Sequence, residues 1–327
     1  MKRNWLWGRV GALLAMLAFC MVGNAQDYPN RTVRIIVPNA PGGQPDIALR
    51  VLAQQFSAQF GQPFVVENIP GANGVAAINA LLNSPPDGYT LSYGDAGHWA
   101  INKLLNPKLA FDPLKDLAPV GMYGETTGLF LVVNDTMPAK TLQELVVLVK
   151  SRPGAFSYAS AGVGSIHHLI MEDFKASLGL DVLHVPYKGS GQAVPALVGG
   201  QVSMAIASLA AVSSYAKDGR VRILGVSTKK RSSMAPHVSP MAEAGIPDFD
   251  HTDGVGLAAR GGTPRAITDK LAAAMTKAIA MPEVVARFAA IGLEPATDTT
   301  PEALMERTRQ NLIKYARVVK ISGASAE

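Results

Sequence analysis

Apolar positions along this 327-residue chain recur with two periods, and the two alternate. Val33-Arg34-Ile35-Ile36-Val37 is a β-branched run that stops at Pro38 and Gly42-Gly43. The pattern then restarts over 46–60, with Ile47, Val51, Leu52 and Phe56 along one face. This predicts a strand, a loop and a helix. Further strands are predicted at 63–67, 90–93, 129–133, 156–160, 182–185 and 204–207. Helices are predicted at 74–82, 166–178 and 192–197, with a helical turn at 100–105. Thr141-Leu142-Gln143-Glu144 opens another helix with a capping-box pattern. The C-terminal part is mainly helical, over 265–280, 282–291 and 301–319. Such alternation predicts an α/β fold of parallel sheets covered by helices. Neither an internal repeat nor a low-complexity linker marks a domain boundary.

The first residues read as a targeting segment. Lys2, Arg3 and Arg9 give a positive start, 10–23 is an apolar core, and Gly23-Asn24-Ala25 is a small-residue cleavage site. The core is shorter than the roughly 20 residues a spanning helix needs. Cleavage after Ala25 and export across the inner membrane are therefore expected. Phe19 occupies the place where a lipobox at Cys20 requires a small residue, which argues against lipidation. Cleavage removes the only cysteine, so the mature protein would hold neither a disulfide nor a Cys-ligated metal. It also lowers the formal charge from +5 to near +2, too weak an excess to imply nucleic acid. About 300 residues remain, enough for two lobes.

Four loop-to-helix junctions are rich in glycine: Gly42-Gly43, Gly71-Ala72-Asn73-Gly74, Ala161-Gly162-Val163-Gly164-Ser165 and Gly189-Ser190-Gly191-Gln192. In an open α/β sheet, ligands bind beyond the carboxyl ends of the strands, where such junctions lie. A helix start there favours an anion by ~0.3–1 kcal/mol, and by up to ~2 when partly buried. Any one of these loops is equally readable as an ordinary turn. Ser165 has no G-x-S-x-G elbow and no recognisable His–acid pair, so a helix cap facing a ligand is expected rather than a nucleophile. His167, His168 and Glu172 lack a motif such as H-E-x-x-H, and no metal is expected. Gly162-Val163-Gly164 starts like a dinucleotide fingerprint, but His167 stands at its third glycine, so no nucleotide cofactor is expected either.

Together with these loops, Val65-Val66-Glu67-Asn68-Ile69-Pro70, Pro86-Asp87-Gly88-Tyr89-Thr90-Leu91 and Tyr158-Ala159-Ser160 stand in a distinctive order. Val185-Pro186-Tyr187-Lys188-Gly189, Gly199-Gly200-Gln201-Val202, Glu243-Ala244-Gly245-Ile246-Pro247 and Gly262-Thr263-Pro264 follow. In this order and spacing the set resembles the Bug (TctC-like) solute-binding receptors of tripartite tricarboxylate transporters. The resemblance spans essentially the whole mature chain. It implies a two-lobed periplasmic binding protein, type II-like, with a ligand cleft between α/β lobes. Lobe 1 would hold 26–123 and 250–327, and lobe 2 would hold 124–249.

The resemblance also implies a function. The chain would capture a small organic carboxylate by lobe closure, as a monomer without cofactor or covalent chemistry. It would deliver that ligand to membrane permease subunits. A periplasmic sensor of a signalling system is the alternative, and an exported enzyme on the same scaffold a more distant one. Ligand contacts are expected from Asn39, Gly42, Gly43, Asp46, Gly71, Asn73, Ala161, Gly162, Gly164 and Ser165. The loop with Asp95 and His98 reaches the ligand in similar proteins, although Asp95 reads equally well as a helix N-cap. Tyr187 would border the cleft and cover one side of a planar ligand, while Lys188 reads as a solvated or salt-bridging cation. Pro45 replaces a usual Thr or Ser, and Asn39 a common aromatic, so the first loop is expected to hold its ligand in its own way.

Overall fold

The computed structural model describes residues 28–71 and 74–325. The targeting segment, its cleavage site and the predicted contact Asn73 lie outside the described residues.

Two sheets carry the fold. The first contains β1 (Val33–Val37), β2 (Phe64–Asn68), β3 (Thr90–Gly94), β4 (Leu117–Thr126), β10 (Gly254–Arg260) and β11 (Leu293–Pro295), in the order β11-β4-β10-β3-β1-β2. The second contains β5 (Phe130–Asn134), β6 (Ser157–Ser160), β7 (Leu183–Pro186), β8 (Met204–Ala207) and β9 (Val221–Val226), in the order β7-β6-β8-β5-β9. The chain passes from the first sheet to the second between Thr126 and Phe130, and returns between Val226 and Gly254.

Helices cover the faces: α1 (Gln44–Phe60), α2 (Val75–Leu82), α3 (Asn102–Leu105), α4 (Leu142–Ser151), α5 (Ile166–Leu178) and α6 (Ser190–Val198). They are followed by α7 (Leu209–Lys217), α8 (Arg265–Ile279), α9 (Pro282–Ala290) and α10 (Pro301–Ser322). A π-helical turn, Ala96–Ile101, precedes α3.

β1 shows why the first element forms. Val33, Ile35, Ile36 and Val37 are all buried, as expected of a strand covered on both faces. It pairs in parallel with β2 and β3. α1 begins two residues before the predicted start because Pro45 suits a first helical turn, where its missing N–H costs nothing. Gly61 closes that helix with φ +68°, a left-handed cap. At α4, Thr141 Oγ1 accepts from the Glu144 amide at 3.2 Å. Glu144 reaches back to the Lys140 amide at 2.7 Å, one residue earlier than a standard capping box.

The sheets are mixed rather than purely parallel, which corrects the expectation from alternation. β10 is antiparallel to both β3 and β4, β11 is antiparallel to β4, and β5 is antiparallel to β8 and β9. The reason is the crossover. A strand that leads directly from one sheet to the other, or back, needs no covering helix to reverse its direction.

Candidate binding site

Two neighbouring cavities lie between the sheets, of about 590 and 360 Å³. Asp95, Ile166 and Asp253 line both. The larger cavity is bounded by the loops after β1 and β2, by the π-helical turn, and by the start of α5. The smaller lies against the crossover residues Thr126 to Leu129 and is more apolar, with Pro45, Leu209, Met234 and Ile291 in its wall.

The start of α5 is a built junction. Ser165 caps it, accepting from the His168 amide at 3.3 Å and donating to the Gly162 carbonyl at 2.7 Å. Gly164, at φ +74°, donates its N–H to His168 Nδ1 at 3.1 Å. A Cβ at Gly164 would lie 2.6 Å from Leu105 Cδ1, so only glycine allows this approach of α3. Beneath the junction, the rings of Tyr158, His184 and His168 form a stack, with centroids 4.7 and 4.1 Å apart. Ser160 Oγ lies 2.7 Å from His184 Nε2 and anchors that ring. Burial, then the neighbouring His168, brings His184 down to about 4, so the ring is neutral near pH 7. Ile166 and His167 occupy the first two helical positions, whose N–H groups have no carbonyl one turn earlier to bind. Both residues line the larger cavity, so the junction offers it backbone donors.

An acidic wall faces that junction. Asp95 caps the π-helical turn: its carboxylate accepts from the His98 amide at 2.9 Å, His98 Nδ1 at 2.6 Å and the Tyr93 hydroxyl at 2.8 Å. Burial opposes ionisation of Asp95, but the His98 charge and these hydrogen bonds outweigh it and hold the carboxyl low. Burial likewise opposes the charged form of His98, and Asp95 overrides it, raising the imidazole above its ordinary value. Among the described residues the Asp253 carboxyl accepts only the Ala96 amide, shared between its oxygens at 3.2 and 3.3 Å. Burial, then the Asp95 charge, pushes its carboxyl well above the usual carboxylate range. Burial alone brings His167 down to about 4.

Residues 48–323 match the profile of the "Tripartite tricarboxylate transporter family receptor". The chain belongs to this TctC family. Protein BugT of Bordetella pertussis is 35% identical over 325 residues, covering 99% of each chain. Among solved structures, Rpa4515 of R. palustris with adipate is 30% identical with a TM-score of 0.79, covering 91% of this chain and 99% of that one. MatC from Rhodopseudomonas palustris with bound malate is 31% identical with a TM-score of 0.75, covering 89% and 100%. The two-sheet α/β architecture seen here is also that of the periplasmic binding protein BugD, 29% identical with a TM-score of 0.76, covering 92% of this chain and 100% of that one.

For this TctC receptor, the predicted contacts fall into two groups. Asn39, Gly71, Asp95, His98, Ala161, Gly164 and Ser165 line the larger cavity. Gly42, Gly43, Asp46, Gly162 and Tyr187 line neither cavity among the described residues. Asp46 turns inward, where it accepts from the Gly42 amide, Arg50 and Asn68 Nδ2, so it orders the first loop from behind. Gly162 donates to Ser160 Oγ, and its carbonyl is taken by Ser165. Tyr187 packs against the apolar cluster around Phe130 and Ala159. Reading by sequence missed Asp253, which precedes β10, a strand whose glycine spacing hid it; the donors of Ile166 and His167 belong to the third of the predicted loop-to-helix junctions.

Proposed function

We propose that this chain is an exported receptor that captures a small organic carboxylate between two lobes and presents it to the permease subunits of a tripartite transporter. The lobes are 26–123 with 250–327, and 124–249; the protein acts as a monomer, cleaved after Ala25, and catalyses no reaction. The observation that carries this reading is the first turn of α5, which lines a 590 Å³ cavity between the sheets. Its free backbone donors suit one carboxylate without any lysine or arginine in the cavity wall. The two relatives solved with adipate and malate support the ligand class. Ligand held from both sheets would favour closure, which is how binding becomes a signal to a partner.

The test is a thermal-shift screen of residues 26–327, refolded to remove carried ligand, against small carboxylates and their amides. A ligand at a hundred times its dissociation constant adds about 2.7 kcal/mol, a shift of several degrees. Ile166→Pro then isolates the site. Proline suits the first helical position, so the fold should survive while one amide donor is lost. Affinity should fall about tenfold, equivalent to ~1.4 kcal/mol. Unchanged affinity in the folded variant would remove α5 from the site.

A further inference from the structure

We propose that the ligand of this receptor carries a hydrogen-bond-donating amino group beside its carboxylate, held by Asp253 and Asp95 opposite the start of α5. This rests on the carboxylate reading above and narrows it to amino-acid-like zwitterions.

Of the side chains in the wall of the larger cavity, none is lysine or arginine, and two are aspartates. The acids alone would not make a site, but other unmatched atoms lie in the same wall. Asn39 Oδ1 and His167 Nδ1 are buried and have no hydrogen-bond partner among the described residues. Asn39 Oδ1 can only accept, so what it lacks is an incoming donor. Asp253 uses its two oxygens for one shared backbone amide, so further lone pairs remain open. A buried acceptor left unmatched costs about 1–3 kcal/mol, and a ligand donor removes that cost.

Asp95 is answered by His98, but among the described residues no cationic side chain hydrogen-bonds to Asp253. His98 is committed to Asp95 at 2.6 Å. Arg307 binds Glu125 at 2.8 Å and the Thr252 carbonyl at 3.2 Å, and Lys314 binds the Asp250 carbonyl at 2.8 Å. Tyr93 gives its hydroxyl to Asp95, and Tyr315 faces His251 at 3.2 Å. An ammonium group placed against Asp253 would therefore be the cation that the cluster lacks. The wall at Asp253 has a further consequence. Near neutral pH its raised carboxyl is partly protonated, so an arriving ammonium should expel that proton.

The experiment compares matched probes by titration calorimetry: succinate, malate and aspartate, which differ by H, OH and NH₃⁺ at one carbon, and adipate against 2-aminoadipate. The amino member of at least one set should bind at least about tenfold tighter than its unsubstituted acid. Repeating the titration in buffers of different ionisation enthalpy should show proton release on binding. Asp253→Asn, which keeps the shape, should remove the preference for the amino member and the proton release. Equal binding within every set, or proton uptake with the amino ligand, overturns this inference and leaves the carboxylate reading standing. Binding of none of the probes overturns this inference, and failure of the wider carboxylate screen as well overturns both.

Discussion

Lowering the pH should destabilise the ligand-free protein through His167, by an amount that follows from its position. The ring lies in the cavity wall with Nδ1 buried and unpartnered, and burial lowers its pKa from 6.5 to about 4. In the unfolded chain it titrates near 6.5, so between those values the unfolded state binds the extra proton. The stability contributed by keeping this ring neutral is complete above about pH 6.5 and is lost as the pH falls toward 4. With those two values the loss at pH 5 is about 2 kcal/mol, and ~3.4 kcal/mol once both states are protonated. His98 works the other way, since Asp95 raises it, and His168, His184 and His251 are lowered. Comparison with His167→Gln removes those shared contributions. Urea unfolding of both proteins at pH 7.5, 6 and 5 should show the parent losing about 2 kcal/mol more than the variant by pH 5. Parallel pH dependence, within about 0.5 kcal/mol, would refute the claim that the folded ring resists protonation.

Asp46→Ala should cost about 1–2 kcal/mol in urea unfolding, because it removes the acceptor of the Gly42 amide and one of two acceptors of Asn68 Nδ2, which keeps the Asn39 carbonyl; the half-exposed Arg50 contributes little of this. Gly94→Ala should cost at least ~3 kcal/mol or prevent folding, since the new Cβ would sit 1.8 Å from the buried Trp99 ring. Gly191→Ala, within α6 and with nothing within 4 Å, should be neutral or raise the melting temperature by the equivalent of ~0.5–1 kcal/mol. Asp173→Ala should cost about 1–3 kcal/mol, because it leaves the buried His251 Nε2 without its partner at 2.9 Å; the half-exposed Arg317, 2.7 Å away, contributes little of this.

The sequence made some of these features visible and hid others for physical reasons. Strands such as 204–207 and helices such as 166–178 and 301–319 announce themselves by unbroken periodicity, and the structure places them within a few residues. β4 contains Pro119, Gly121 and Gly124, and β10 contains two glycines, so neither reads as a strand. Their residues are chosen for close approach. A Cβ at Gly121 would lie 2.0 Å from the Thr299 carbonyl oxygen, and one at Gly256 would lie 2.6 Å from Leu304. Losing β10 from the reading also lost Asp253 at its entrance. The glycines of the first loop pointed to the right region, but a sequence cannot show which N–H groups an inward carboxylate such as Asp46 has already taken.

The same network that defines the cavity constrains how it can close. The helix whose start faces the cavity, α5, is held further along its length by Asp173. That carboxylate binds His251, in the return crossover, and Arg317 of α10, which packs against β4 of the first sheet. At its other end α5 meets the first sheet's side again, where Gly164 receives Leu105. If the lobes proposed above close on a ligand, the Asp173 tie keeps the middle of α5 on the return crossover, and the donors of Ile166 and His167 meet the acidic wall as one unit. That coupling makes a two-ended ligand a better closing agent than a simple anion, which could satisfy α5 alone.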